Sequence, residues 1–193
     1  WLPFYNDYIS WGSITGGFTR DSHGIFWMSK KYNGVGMLRF TKDDIYPDGN
    51  ITGKPVNYKK LFADVIIKTF YLDEANGYLY MHVMKDPYGA VPGIYRIALS
   101  MLEDTVTGAD APGAADLKIA DCELLDDSPV VSESSTNESS GELANVAQLT
   151  GDGDYVYWGY IPPKAGESAI AGSIALDESN PLHKAGIKCI AAK

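Results

Sequence analysis

The fold is decided by the stretch Ile66-Ile-Lys-Thr-Phe-Tyr-Leu-Asp-Glu-Ala-Asn-Gly-Tyr-Leu-Tyr-Met-His-Val-Met84, which a Pro/Gly loop joins to Gly93-Ile-Tyr-Arg-Ile-Ala-Leu99. Aromatic and β-branched residues dominate these segments, as is typical of strands. Asp73–Gly77 separates the first two segments and contains the Asp, Asn and Gly residues that tight turns favour. The stretch therefore predicts three short antiparallel strands joined by two turns.

The same order of strands and turns occurs before and after this stretch. We predict three units at about residues 14–62, 66–125 and 146–193, each with four short strands. The turns Asp21–Gly24 and Gly151–Asp154 stand where Asp73–Gly77 stands. We expect a single all-β domain of repeated four-stranded antiparallel sheets. Third strands are predicted at Gly36–Phe40, Gly93–Leu99 and Gly172–Leu176, and the last fourth strand at Ile187–Ile190.

Alternation along the second strands gives each of them two apolar faces. Successive side chains of a strand point to opposite faces of the sheet. One face carries Trp27, Tyr80 and Tyr157, and the other carries Phe26, Leu79 and Val156. Strands that are apolar on both faces are typical of sheets that are covered on both sides. We therefore expect the units to pack face to face. His82 shares the position of Ser29 and Gly159, so it faces a neighbouring unit or solvent.

The composition of the chain limits the kinds of partner that it can bind. The chain has 193 residues and a formal net charge of −9, which repels nucleic acid and anionic membrane. No apolar run approaches the roughly 20 residues that span a bilayer as a helix. Cys122 and Cys189 have no metal-binding spacing, and either a disulfide or two free thiols fits them. A protein, peptide or carbohydrate is the expected kind of partner.

Residues 126–142 form a Ser/Glu-rich insertion between the second and third units. A segment with so little to bury is typical of a mobile surface loop. The chain begins at Trp1 without Met, which we interpret as a piece of a longer protein. This start and the aromatic, Ser/Thr/Asn-rich composition lead us to expect an extracytoplasmic protein, such as the ectodomain of a bacterial lipoprotein.

The segment Asp73-Glu-Ala-Asn-Gly-Tyr-Leu-Tyr80 is similar to the turn-and-strand signature of NHL- and YVTN-type β-propeller repeats. Asp21–Trp27 and Gly153–Trp158 match the signature more loosely. The resemblance implies that each unit is a propeller blade, and it carries no catalytic residue. Propellers close with at least about four blades, whereas three units are present. We therefore expect a partial propeller, chiefly a segment of a larger ring, with assembly of copies or another β repeat as alternatives.

Blade topology divides the loops between two faces of the molecule. The turns on one face carry Asp21, His23, Asp73, Glu74, Asp152 and Asp154. The loops on the other face supply the predicted ligand-binding residues, which are Lys31, Tyr32, Lys85, Tyr88, Tyr160 and Lys164. Tyrosines at loop ends are suited to contacts with a protein, peptide or sugar. The competing interpretation is that Tyr simply suits a half-exposed strand end.

Motifs that would identify an enzyme or a metal site are missing from the sequence. There is no G-x-S-x-G, G-x-G-x-x-G or P-loop, and His23, His82 and His183 are far apart. Asp43–Asn50 and Asp152–Asp154 offer oxygen ligands for Ca²⁺, but neither fits a calcium loop and ordinary turn chemistry explains both. We predict a non-enzymatic, propeller-type binding module without a cofactor. The alternatives are a propeller-class hydrolase or lyase with acidic residues at the central channel, and a purely structural segment.

Overall fold

A computed structural model describes residues 14–30, 37–40, 59–62, 65–85, 91–103, 117–129, 148–164 and 172–192. Eleven strands in these residues form three sheets, and every strand pair is antiparallel. The predicted β class and the antiparallel pairing are thereby confirmed. Within the described residues, the longest helix has four residues, and no helix is long and apolar enough to cross a membrane.

Sheets 1 and 2 each follow chain order and contain four strands. Sheet 1 consists of β1 (Ile14–Arg20), β2 (Phe26–Lys30), β3 (Met37–Phe40) and β4 (Lys59–Leu61). Sheet 2 consists of β5 (Ile66–Asp73), β6 (Tyr78–Lys85), β7 (Gly93–Ala98) and β8 (Glu123–Asp126). Helix α1 (Ser100–Glu103) and a 3₁₀ helix (Ile119–Asp121) lie between β7 and β8.

Sheet 3 has three strands in the spatial order β11 (Gly186–Ala191), β10 (Tyr155–Tyr160) and β9 (Thr150–Gly151). The prediction of a third strand at Gly172–Leu176 was wrong, because those residues form an irregular connection. The segment predicted as the fourth strand pairs directly with β10 instead. Its sequence, Gly186-Ile-Lys-Cys-Ile-Ala191, repeats the pattern of Gly93-Ile-Tyr-Arg-Ile-Ala98 and takes the same register.

The sheets pack face to face, with sheet 2 in the middle. Leu79 and Met81 on one face of β6 pack in a core that includes Trp27 and Leu61 of sheet 1. Tyr80, on the opposite face, packs in a second core with sheet 3, whose members include Ile94, Leu149, Val156, Trp158 and Tyr160. The first strands of successive sheets are neighbours, β1 beside β5 and β5 beside β9. The predicted covering of both faces is thus confirmed for sheet 2.

The beginning of the predicted surface insertion is buried. Asp126 ends β8, and Asp126, Ser128 and Pro129 all lie in the interior. The predicted surface position was therefore wrong for Asp126, Ser128 and Pro129. The polar side chains in this segment are buried because they bond to sheet 3, as described below. Residues 130–142 lie outside the described part of the chain.

Candidate functional site

Each sheet has a turn between its first and second strands that an aspartate holds in place. In sheet 1, Asp21 Oδ1 accepts hydrogen bonds from the backbone N–H groups of His23 (2.9 Å) and Ile25 (2.8 Å). Its Oδ2 accepts a bond from Trp27 Nε1 (2.9 Å). Gly24 completes the turn with φ +83°, a conformation that costs glycine little. The aspartate thus satisfies two backbone N–H groups of its own turn and anchors a core tryptophan.

The turn of sheet 3 uses the same device. Asp152 Oδ1 accepts from the N–H groups of Asp154 (3.0 Å) and Tyr155 (2.8 Å), and Oδ2 accepts from the Tyr157 hydroxyl (2.7 Å). These bonds, with Tyr157 first, lower the pKa of Asp152. The same contact raises the pKa of Tyr157 to about 12. Tyr157 therefore plays the part that Trp27 plays in sheet 1.

In sheet 2, the side chain of the second strand bonds to the neighbouring sheet 3 and not to the turn aspartate. Asp73 accepts from the backbone N–H (3.2 Å) and the side-chain Nδ2 (2.8 Å) of Asn76. Tyr80 stands at the position of Trp27, but its hydroxyl donates to the Ala192 carbonyl beyond the end of β11 (3.2 Å). The side chain that in sheet 1 fixes the turn aspartate thus connects sheet 2 to sheet 3.

Hydrogen bonds between turns join all three into one surface, which we call the turn face. The backbone N–H of Ser22 donates to both carboxylate oxygens of Glu74 (3.0 and 2.9 Å), and the Ser22 hydroxyl donates to one of them. Asn76 Nδ2 donates to the Gly153 carbonyl (2.8 Å). The turns of sheets 1 and 3 are therefore both tied to the turn of sheet 2.

A cleft of about 350 Å³ opens on the turn face beside the first two turns. We call it the turn cleft. Its apolar lining comes from Trp27, Leu72 and Leu99, and its polar lining includes His23, Glu74 and Ser100. The His23 side chain is largely exposed, and its Nδ1 lies 4.0 Å from Glu74 Oε2. The cleft thus combines an apolar wall, a carboxylate and an imidazole that solvent reaches.

The predicted ligand-binding residues of the opposite face are not brought together in the described part of the chain. Lys31, Tyr32 and Tyr88 lie outside the described residues, and only the backbone of Lys85, at the end of β6, is described. Lys164 is exposed in the segment after β10.

Tyr160 does not belong to a surface rim, because its side chain is 1% exposed. Alternation along β10 points it, with Val156 and Trp158, toward sheet 2. Its hydroxyl donates to the Pro129 carbonyl (3.1 Å), and burial raises its pKa to about 12. Tyr160 is therefore a core side chain.

A buried polar cluster, which we call the interface cluster, connects sheets 2 and 3. Asp126 Oδ2 lies 2.8 Å from Lys188 Nζ and accepts from Trp158 Nε1 (3.2 Å). Asp126 Oδ1 accepts from the N–H (3.0 Å) and the hydroxyl of Ser128. Lys188 Nζ also lies 3.9 Å from the centre of the Tyr160 ring. Burial lowers the pKa of Lys188, while the Asp126 carboxylate opposes that shift.

The interface cluster contains a serine beside a lysine, a pair that hydrolases use for nucleophilic attack. Lys188 Nζ lies 2.5 Å from Ser128 Oγ. Ser128 is 4% exposed and the Lys188 side chain 9%, so the described residues shield both groups from solvent. The geometry is that of an ion pair that joins two sheets.

The described residues contain no group of three or more His, Cys, Asp or Glu side chains that could hold a metal ion. Both oxygens of Asp152 already accept hydrogen bonds, and Asp43–Asn50 lies outside the described residues. His183 is buried, and its Nδ1 accepts from the Asp177 backbone (3.0 Å). Cys122 and Cys189 are free thiols.

Comparison of the chain with protein-family models, with curated proteins and with solved structures gave no match in any of the three.

Proposed function

We propose that this chain is a propeller-type binding module that takes its ligand on the turn face. Neighbouring first strands and turns that lie at one end of every sheet support this arrangement. In a propeller, blades stand side by side in this way around an axis. Hydrogen bonds between the turns make the face stiff, so little conformational entropy is lost when a ligand binds.

The turn cleft is the main observation that supports this proposal. Its apolar wall suits an aliphatic stem, and Glu74 at its edge suits a cationic group at the end of that stem. A lysine or arginine side chain of a peptide has this chemistry. The net charge of −9 would also accelerate the approach of a basic partner. We therefore propose a basic peptide segment as the ligand.

Two described aspartates, Asp152 and Asp177, give up their protons more readily than usual, which does not suit them to act as proton donors. Asp152 and Asp177 have lowered pKa values, and in each case a side-chain hydrogen bond is the first cause. A glycosidase instead needs a carboxyl group whose pKa is raised, so that it remains a proton donor. Glu74 contacts Ser22 and His23, and the other carboxylate that lines the cleft, Asp21, is held by its own turn and by Trp27. Its role in the proposal is electrostatic recognition.

An NMR titration tests this function. The ¹⁵N-labelled chain is titrated with the blocked tripeptide Ac-Gly-Lys-Gly-NH₂, and with Ac-Gly-Leu-Gly-NH₂ for comparison. We expect saturable shifts of the Ser22, His23 and Leu99 amides with the lysine peptide and much weaker shifts with the leucine peptide. Glu74→Gln should weaken binding about tenfold, because a charge-assisted contact contributes roughly 1.5 kcal/mol.

Asp154→Asn is the matched control, because Asp154 is an exposed carboxylate on the turn of sheet 3. It should leave the affinity unchanged. Equal weakening by Glu74→Gln and Asp154→Asn would reduce the effect to overall charge and overturn the proposal. Shifts confined to the Lys164 region would move the ligand to the opposite face, where Lys31, Tyr32, Lys85 and Tyr88 were predicted to bind it.

A further inference from the structure

The interface cluster brings an amine and a carboxyl group of different sheets into direct contact inside the molecule. Lys188 Nζ on β11 lies 2.8 Å from Asp126 Oδ2 at the end of β8. Their side chains are 9% and 4% exposed. The two residues are 62 positions apart in the sequence, so a covalent bond between them would join sheets 2 and 3. The cluster does not line the turn cleft and takes no part in the proposed function.

Burial brings this ion pair close in free energy to its uncharged form, because removal from water disfavours the charged state of both groups. Burial is the first cause that lowers the pKa of Lys188, although the Asp126 carboxylate opposes the shift. The ring of Tyr160, whose centre is 3.9 Å from Lys188 Nζ, covers the amine. Transfer of one proton from Nζ to Oδ2 gives a neutral amine, which is a nucleophile, beside a carboxylic acid.

The hydrogen bonds on the carboxyl group are those that amide formation needs. Asp126 Oδ1 accepts from the backbone N–H (3.0 Å) and the hydroxyl of Ser128. Two donors therefore stabilise a negative charge that develops on Oδ1. Oδ2, the oxygen next to the amine, accepts from Trp158 Nε1 (3.2 Å), and a donor at that position assists the departure of Oδ2. One oxygen is thus held as an oxyanion and the other as a leaving group.

We propose that Lys188 and Asp126 form an amide bond, which cross-links sheets 2 and 3 once the chain has folded. The ion pair that the structure shows is the starting state of this reaction. After the proton transfer, the Nζ lone pair attacks Cγ of Asp126, and negative charge collects on Oδ1. The bond from Cγ to Oδ2 then breaks, and Oδ2 leaves as water with the proton that it received and a second proton from Nζ.

The atoms and charges of this reaction balance within the chain. An ammonium and a carboxylate become an amide and one molecule of water, and no oxidant, reductant or co-reactant takes part. The contact between Lys188 and Asp126 replaces a collision between two separate molecules, which removes a large part of the barrier, so no external catalyst is required. Exclusion of water from the cluster also opposes hydrolysis of the amide once it has formed.

Mass spectrometry of the denatured full chain tests the proposal. We expect the intact mass to be lower than that of the sequence by one molecule of water. Trypsin should release a branched peptide in which Lys188 carries the segment that contains Asp126, and the peptide bond after Lys188 should resist cleavage. Lys188→Met and Asp126→Ala should each have the full mass of their sequences. Lys184→Met is the matched control, because Lys184 is an exposed lysine just before β11, and this variant should still lack one molecule of water.

A folded wild-type chain with the full mass of its sequence would overturn the proposal. So would a loss of water that persists in Lys188→Met, because an aspartate can also lose water by closing an imide with its own backbone. Circular dichroism shows whether the variants fold. If they do not, the branched peptide of the wild-type chain still decides, because it contains both Lys188 and Asp126. Its presence identifies the cross-link, and its absence from a chain that lacks one molecule of water excludes it.

Discussion

The two joints between sheets use the same backbone positions with opposite chemistry. At the joint between sheets 1 and 2, Leu61 at the end of β4 lies in one apolar core with Met81 and Tyr95. At the joint between sheets 2 and 3, the corresponding positions at the end of β8, in β10 and in β11 hold Asp126, Trp158 and Lys188. These three form the centre of the interface cluster.

The repeat therefore determines the backbone of each joint but not the chemistry of its side chains. An apolar joint gains free energy from burial and tolerates many partners of similar shape. A buried ion pair adds little net stability, because desolvation offsets the attraction, yet removing one partner is costly. We infer that the interface cluster specifies which sheet follows sheet 2.

The largest expected effect is that of Asp126→Ala. It leaves Lys188 Nζ buried without its counter-ion and removes the acceptor for Trp158 Nε1. We expect the free energy of unfolding to fall by about 3–5 kcal/mol. Lys188→Met should cost less, because the carboxylate keeps its bonds from Trp158 and Ser128. Urea denaturation of both variants measures the two losses.

The double variant removes both charges of the interface cluster. Asp126→Ala combined with Lys188→Met should lose less than the sum of the single losses, because no unpaired charge remains. Leu61→Ala at the apolar joint should cost about 3 kcal/mol through its cavity. A loss below about 1 kcal/mol for Asp126→Ala would place the pair in the class of surface ion pairs and contradict the comparison.

A second expected effect is a pH dependence of the free energy of unfolding that arises at the joint between sheets 2 and 3. His82 shares the position of Ser29 but faces sheet 3; it is fully buried, and neither ring nitrogen has a hydrogen-bond partner among the residues that the structure describes. Burial is the first cause that lowers its pKa to about 3, and the Lys68 charge adds to the shift. Since the unfolded chain binds the proton more tightly, stability falls as pH drops below about 6.5, by about 2 kcal/mol between pH 7 and pH 5.

His82→Ser supplies the control for this pH effect, because serine already occupies the same position in sheet 1. Urea denaturation at pH 7 and pH 5 is compared for the two chains. The variant should show a pH dependence smaller by that amount. Equal pH dependence in both chains would mean that His82 is protonated in the folded state and has a partner there.

The smallest expected effects lie at the turns. Asn76→Ala should cost about 1 kcal/mol, because it removes donors to the buried Asp73 carboxylate and to the Gly153 carbonyl. Glu74→Ala should cost about 0.5 kcal/mol, because its contact to Ser22 is exposed. Thermal unfolding resolves this difference. A larger loss for Glu74→Ala would mean that the turns of sheets 1 and 2, rather than those of sheets 2 and 3, carry the stronger tie.

Local patterns predicted the strands and their faces well. Tyr155–Tyr160 and Ile14–Arg20 match β10 and β1, because alternation and turn residues mark strand ends directly. The prediction of a strand at Gly172–Leu176 failed because it rested on strand-like composition alone. The segment that pairs with β10 is the one whose sequence pattern repeats that of β7. The similarity of Gly186–Ala191 to Gly93–Ala98 was the signal that would have found the true third strand.

The sites were harder to predict because long-range contacts make them. Asp126 and Ser128 belong to a polar segment, and only the distant Lys188 and Trp158 make their burial favourable. Tyr160 is of a residue type that suits a surface rim. The alternation of side chains along its strand points it into the core instead, and that alternation determines its burial. The short spacing between Asp21 and Trp27, and between Asp152 and Tyr157, was a sequence signal for a turn in which the aspartate bonds to a side chain of the second strand.

The aspartate-held turns have a consequence for variation. Asp21 and Asp152 accept hydrogen bonds from backbone N–H groups of their own turns, so several side chains between the aspartate and the second strand are not needed to shape the turn itself. The residue after the aspartate is already Ser22, Glu74 or Gly153 in the three turns. Ser22 and Glu74 are suited to randomisation at a small cost in stability, whereas Gly153, with φ +94°, should remain glycine, and a library built on the first two positions would explore new specificities.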